Sequence, residues 1–323
     1  MRIIVTGSNG FIGRHTCERL VERGVEGVGV DDLSEGTPAN PVSSVRFHRH
    51  TVADAGEMVR LMRDADPAAV IHLAARSQVA FTVEQPLHSS VANLLGTITV
   101  LDAMLRAELI GKTRFVFASS AAVYGATDVL PTPETHPCDP ESPYALQKCQ
   151  GEQWCSMFHR LYGLDAVSLR YFNVIGPGAA FGGSYPSVLS AWLYHLYVDP
   201  SYRPYLEGDG TQTRDFCSVD DVAWANVRAA TRPDGFRGQA LNIAQGHAYS
   251  LLDVKGALEE VCGRQLDLER RPPRTGDVPH SLADITRARE ELGYNPSTDF
   301  RGQLERMASW VRHSHPRSRR SPR

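Results

Sequence analysis

The sequence predicts an α/β fold, a doubly wound parallel sheet followed by a smaller C-terminal domain. Three observations predict it. Through the first half, short β-branched runs alternate with longer amphipathic stretches, as in successive βαβ units. A glycine-rich turn, Thr6-Gly-Ser-Asn-Gly-Phe-Ile-Gly13, joins the first such run to the first amphipathic stretch. After Asn173 the alternation gives way to a region punctuated by Gly176, Pro177, Gly178, Pro186, Pro200, Pro204, Gly208 and Gly210, with room only for short elements.

In chain order, strands are expected at residues 3–6, 27–31, 45–51, 69–73, 114–119 and 166–170, with helices at 10–23, 55–64, 87–107 and 143–162. Right-handed crossovers between these strands place ligands beyond their carboxyl ends. Residues 1–172 form the first domain on this reading, and segments near 215–244 return to complete it. Residues 173–323 form the second. Its basic end, with Arg312, Arg317, Arg319, Arg320 and Arg323 among Ser, His and Pro, is expected to be disordered from about residue 312.

With 323 residues, 42% of them hydrophobic and 22% charged, the chain can bury an ordinary core. A net charge of −3 argues against a nucleic-acid or anionic-membrane surface as its main partner. The six cysteines form no CxxC pair and no His-Cys ligand spacing, so neither a metal site nor a disulfide framework is expected, and a reducing compartment is. No apolar leader follows Met1, and no later run approaches eighteen apolar residues. A cytoplasmic protein is the expectation.

Gly7, Gly10 and Gly13 let the backbone turn sharply and approach a diphosphate, which the free N–H groups and dipole of the following helix favour. Asp31, eighteen residues after Gly13, ends the next predicted strand. Its carboxylate would accept from an adenosine ribose and repel a 2′-phosphate, so the cofactor read from these residues is NAD rather than NADP.

The run Phe115-Val-Phe-Ala-Ser-Ser-Ala-Ala-Val-Tyr-Gly125 reads as a strand ending in a small-residue loop, and Ser142-Pro-Tyr-Ala-Leu-Gln-Lys148 as a helix start. Tyr144 and Lys148, four apart, then share one helical face. A tyrosine of pKa about 10 is a poor base at neutral pH, and lowering it by roughly three units needs about 4 kcal/mol of preference for phenolate. The Lys148 ammonium and a nicotinamide cation are the expected sources, with Ser120 holding or relaying a substrate proton.

With these motifs the chain resembles the extended short-chain dehydrogenases/reductases, Rossmann-fold enzymes, and most of all the UDP-hexose 4-epimerases. The resemblance runs from Thr6 to about Phe300. It rests also on His72-Leu-Ala-Ala75, Asn93-Leu-Leu-Gly-Thr97, Leu169-Arg-Tyr-Phe-Asn-Val174, Gly208-Asp-Gly-Thr-Gln-Thr-Arg-Asp215 and Arg274-Thr-Gly-Asp-Val278. It implies Tyr144 as base, Lys148 as its tuner and Ser120 as the group orienting the sugar 4-hydroxyl. NAD contacts are implied at Gly7, Gly10, Phe11, Ile12, Gly13, Asp31, Asp32, Ser34, Thr51, Val52, Leu73, Ala74, Ala75, Asn93, Ser119, Tyr144, Lys148 and Tyr171. Nucleotide-sugar contacts are implied at Ser77, Ser120, Tyr144, Asn173, Val188, Glu207, Arg214, Arg274, Asp277 and Ser281. Asp220 is read instead as the cap of a helix through Ala230.

The resemblance further implies transient oxidation at C4, rotation of the keto sugar and return of hydride to its other face. Related dehydratases and decarboxylases carry an acid just after the hydroxyl residue, where this chain has Ala121 and Ala122, so plain epimerisation is expected. The small Ser281 leaves room for an N-acetyl group at C2, keeping both UDP-Glc/UDP-Gal and UDP-GlcNAc/UDP-GalNAc as substrates. Thr51, Phe81 and Glu207 depart from residues common among relatives, which leaves UDP-glucuronate or a modified hexose as the alternative. A non-catalytic NAD-binding regulator is the reading from another class, and the intact Tyr144/Lys148 pair counts against it. A homodimer through the helices at 87–107 and 143–162 is also implied.

Overall fold

The computed structural model describes residues 1–34, 42–179, 187–272, 278–297 and 299–314. Strand β1 (Arg2–Thr6) is apolar on both faces, with Ile3, Ile4 and Val5 wholly buried, as a parallel strand covered on both sides must be. The chain continues through α1 (Phe11–Glu22), β2 (Glu26–Val30), β3 (Arg46–His48), α2 (Ala55–Ala65) and β4 (Ala69–His72). β3 is shorter than the expected 45–51. It is an edge strand paired with β2 alone, and the chain then crosses toward α2, which is capped by Asp54 accepting from Glu57 N at 3.0 Å.

The helix expected at 87–107 is continuous but carries a π-helical turn within it. After α3 (Val79–Glu84), the short α4 (Pro86–Ser90) passes into a π-helical turn (Val91–Leu95) and then α5 (Gly96–Arg106). Such turns concentrate at functional sites, and this one carries Asn93. Strand β5 (Arg114–Ser120), α6 (Pro143–Tyr162) and β6 (Ala166–Tyr171) complete the first half. Ser142 Oγ caps α6 by accepting from Ala145 N, Pro143 opens it, and Gly163, at φ +76°, ends it.

Then follow β7 (Val174–Ile175), α7 (Val188–Tyr197), β8 (Tyr205–Glu207), β9 (Thr213–Asp215), β10 (Cys217–Ser218), α8 (Val219–Thr231), β11 (Gln239–Ile243), β12 (Ala248–Ser250), α9 (Leu251–Cys262), β13 (Glu269–Arg271), α10 (Thr286–Leu292) and α11 (Phe300–Ser314). The main sheet has seven parallel strands in the order β11-β6-β5-β4-β1-β2-β3. Chain order reverses between β1 and β4, so a crevice opens at their carboxyl ends. β11 pairs with β6, and α8 lies against α1, with Asn226 Nδ2 donating to Thr16 Oγ1 at 3.1 Å. The remaining elements enclose a second, smaller core around Trp192, Leu206, Leu258, Leu304 and Val311.

Two local expectations are corrected. The cap of α8 is Ser218, whose hydroxyl accepts from Asp220 N; Asp220 itself sits in the first turn and faces His15 Nδ1 at 3.5 Å. Order does not end at residue 312, because α11 runs to Ser314, with Arg312 and His313 in its last turn where the helix dipole favours cations. Residues 315–323 lie outside the described residues.

Candidate active site

The glycine turn is packed too tightly for any side chain at two of its positions. A Cβ on Gly13 would lie 1.9 Å from Gly7 O, and one on Gly7, whose φ is +68°, would lie 2.7 Å from Ala74 N. Gly10 caps α1 with no side-chain bond, leaving the first amides of the helix to a ligand. Asp31 Oδ2 accepts from Asn9 N at 2.9 Å and Oδ1 from Leu33 N at 2.8 Å. Burial pushes this carboxyl up from its ordinary range while those backbone bonds pull it down. Each oxygen keeps a lone pair for a ribose hydroxyl.

Gly7, Gly10, Asp31, Asp32, Ser34, Thr51, Val52, Leu73, Ala74 and Ala75 line one cleft, as expected from the sequence, together with His50, Arg76 and Ala92, which sequence reasoning missed. A cation directly after His72-Leu-Ala-Ala75 was the available signal for Arg76. The glycine cradle, the helix amides and the ribose-accepting acid fit a dinucleotide without a 2′-phosphate.

Other residues expected at the cofactor lie outside the side-chain lining of that cleft. Phe11 and Ile12 are half-buried in the first turn of α1, and the Phe11 ring meets His15 edge-on at 5.8 Å. Ser119 turns its hydroxyl to Glu152, which forms a buried ion pair with Arg170 at 2.6 Å. The Tyr171 hydroxyl donates to Asn226 Oδ1 at 2.6 Å, and burial raises its pKa. Both side chains therefore direct their polar atoms into the interior. Asn93 is 2% exposed, and its amide binds the Arg76 backbone and Gln147. Beneath it, Thr6 Oγ1, His72 and Thr97 form a buried chain with contacts of 2.7 and 3.0 Å, and burial lowers the His72 pKa to about 3, so the ring is neutral.

Tyr144 and Lys148 stand one turn apart at the start of α6, beside the end of β5. Lys148 Nζ donates to Ala118 O at 2.7 Å and lies 5.8 Å from the Tyr144 ring centre. Ser120 Oγ accepts from Ala122 N at 3.2 Å, and its hydroxyl favours the ionised form of Tyr144. In the protein alone, burial raises the Tyr144 phenol, the Ser120 hydroxyl pulls it down, and burial lowers Lys148 to about 8; the expected depression of Tyr144 draws on the nicotinamide cation as well as Lys148. Desolvation opposes both charges, so at neutral pH Tyr144 is held as the phenol while Lys148 keeps its ammonium.

A cavity of about 340 Å³ opens beyond the end of β6, and Asn173, Val188, Glu207 and Arg214 line it with Trp192 and Gln212. Asn173 Nδ2 donates to Asp215 O at 3.2 Å, and Arg214 Nη1 to Thr213 O at 2.9 Å and Pro279 O at 3.3 Å. Ser281 is tied to the same strand through its N–H, which donates to Thr213 O at 3.1 Å. Ser77 is exposed on the loop between β4 and α3. Arg274 and Asp277 lie outside the described residues. Among the described residues no cluster of His, Cys, Asp and Glu could hold a metal ion, and no helix is long and apolar enough to cross a membrane.

Residues 3–244 match the NAD dependent epimerase/dehydratase family. The chain belongs to that family. Among curated relatives, the UDP-glucose 4-epimerase of Mycolicibacterium smegmatis is 34% identical over 97% of this chain and 99% of its own length. Among solved structures, the UDP-glucose 4-epimerase of Thermotoga maritima with UDP-glucose superposes with a TM-score of 0.90 at 32% identity, covering 97% of this chain and 99% of that one. The UDP-N-acetylglucosamine 4-epimerase of Methanobrevibacter ruminantium, in complex with UDP-N-acetylmuramic acid, gives a TM-score of 0.89 at 30% identity, with 97% and 98% covered. As in other members of the NAD dependent epimerase/dehydratase family the cofactor is NAD, and the cleft described above lies at the switch between β1 and β4.

Proposed function

We propose that this chain is a UDP-sugar 4-epimerase, inverting C4 of UDP-glucose/UDP-galactose or UDP-GlcNAc/UDP-GalNAc through a transient 4-keto sugar. The observation that carries the reading is the placement of Tyr144 and Lys148 one turn apart at the start of α6, with Lys148 Nζ held on Ala118 O at the end of β5, the strand end that carries Ser120 and continues into Ala121 and Ala122 with no acid beside it. In this reading Ser120 aligns the sugar 4-hydroxyl and Tyr144 takes its proton, then returns it after the sugar has turned. Lys148 stabilises the phenolate, and Ala118 O fixes the ammonium that does so. Bound NAD supplies the hydride acceptor and donor at C4, so no net redox change occurs.

Asn173 and Arg214, with Arg274 and Asp277, hold the nucleotide diphosphate, a role that suits the arginine fork. That grip, remote from the reacting carbon, keeps the substrate bound while the sugar rotates. Ser281, being small, leaves space for an N-acetyl group. Residues 1–172, completed by α8 and β11, serve the cofactor, and the rest of 173–323 the nucleotide sugar. The six free cysteines suit a reducing cytoplasm. Purified protein given each UDP-sugar should yield the C4 epimer by NMR. A 4-keto-6-deoxy product, or none, would sink the reading.

We infer a homodimer as well. Leu87, Val91 and Leu95 on one side and Leu146, Met157 and Leu161 on α6 are exposed at helical spacing, and Leu87 is 80% exposed. Two such stripes together form a face that water disfavours. Light scattering should give twice the chain mass of 35.6 kDa; a monomer at micromolar concentration overturns the inference.

A further inference from the structure

The NAD cleft is bridged from wall to wall by one side chain. Arg76, on the loop after β4, lines the cleft, and its Nη1 donates to Ser34 O, 3.2 Å away on the loop after β2. Its backbone is aimed by a two-point clamp. Asn93 Oδ1 accepts from Arg76 N at 2.6 Å, and Asn93 Nδ2 donates to Arg76 O at 3.0 Å. The clamp is itself anchored, because Asn93 Nδ2 also donates to Gln147 Oε1 at 2.6 Å, and Gln147 Nε2 reaches Ser89 and Ser90 Oγ at 3.1 and 3.0 Å. Gln147 immediately precedes Lys148 on α6, and Asn93 and Gln147 are both almost wholly buried. The Phe81 ring lies 5.7 Å from the guanidinium.

Charge gives the bridge a second role. Among the described lining residues, Arg76 is the one permanent cation, set against the two acids Asp31 and Asp32. A dinucleotide carries a negative diphosphate, which those acids disfavour and a guanidinium favours.

We propose that Arg76 is a positioning residue that latches the dinucleotide in its cleft, joining the two walls around it and offsetting the acids beneath. The proposal rests on the epimerase reading, in which hydride leaves and returns within one active site and a cofactor that stays bound through many turnovers is an advantage. The buried Asn93 clamp, anchored on the catalytic helix, holds the latch in register with Lys148.

The test compares full-length wild type, Arg76→Ala and Arg76→Lys, each loaded with NAD and then desalted. The readouts are the rate of NAD release and, separately, the unfolding temperature after NAD has been stripped. Losing one charge-assisted bond predicts release from Arg76→Ala about tenfold faster, with partial rescue in Arg76→Lys, which keeps the charge without the fork. The stripped unfolding temperature should not move. Release at the wild-type rate overturns the latch, and so does a drop in the stripped unfolding temperature that accounts for the faster release. A wild type that holds no NAD at all and turns over no UDP-sugar strikes the epimerase reading instead, so the two failures are distinguishable.

Discussion

Tyr144→Phe should lower kcat for C4 epimerisation by about 10²- to 10⁴-fold while leaving NAD bound. The substitution removes one oxygen from a site otherwise held by its neighbours. Ser142 still caps α6, Pro143 still opens it, and Lys148 still donates to Ala118 O. What is lost is the group that exchanges a proton with the sugar. A variant with wild-type turnover would remove Tyr144 from the mechanism. A variant that has lost both NAD and turnover would point to a collapsed site instead.

The pH profile supplies a companion check. Burial brings Lys148 to about 8, so the ammonium that supports phenolate is present below that pH and lost above it. The alkaline limb of kcat/KM should therefore fall near pH 8. Stability runs the other way. A lysine depressed on folding binds fewer protons folded than unfolded, so its contribution is gained as pH rises from about 8 toward its ordinary value near 10.4. Activity and stability should diverge across that window.

Asp215→Ala should cost at least about 2 kcal/mol of folding stability, since the buried N–H groups of Gln245 and Ala283 lose their acceptor at roughly 1–3 kcal/mol each, and the part-buried N–H of Gly246 loses it too. Asp215 is wholly buried at the end of β9. Its Oδ1 accepts from Gln245 N at 2.9 Å, and its Oδ2 from Gly246 N at 3.0 Å and Ala283 N at 3.2 Å. One carboxylate thus fastens the strand carrying Arg214 to the loop after β11 and to the segment carrying Ser281. Burial pushes its pKa up to about 6 against the pull of those donors. A carboxyl raised on folding binds its proton more tightly in the folded state, so wild-type stability should fall as pH rises from about 4 to about 6. The variant should lack that slope. Urea unfolding across this range measures both effects, and a variant as stable as wild type would show the three amides are satisfied some other way.

The sequence by itself determined what is local along the chain. The glycine turn needs only its own few residues and the start of α1, and Tyr144 and Lys148 share a face because four residues make about one helical turn. The β-branched runs became parallel strands because each is apolar enough to be covered on both sides. Tertiary structure decided what depends on partners far away in sequence. It placed a π-helical turn inside the helix at 87–107, from which Asn93 reaches Arg76, seventeen residues earlier, and Gln147, fifty-four later. It turned Ser119 to Glu152 and Tyr171 to Asn226, and joined Asp215 to three amides from two later segments. It also buried Tyr144 and Lys148 together, which raises the phenol and lowers the lysine, a result that spacing does not show. Spacing fixes which side chains share a face, whereas burial and the direction of each polar bond are set only when distant segments pack.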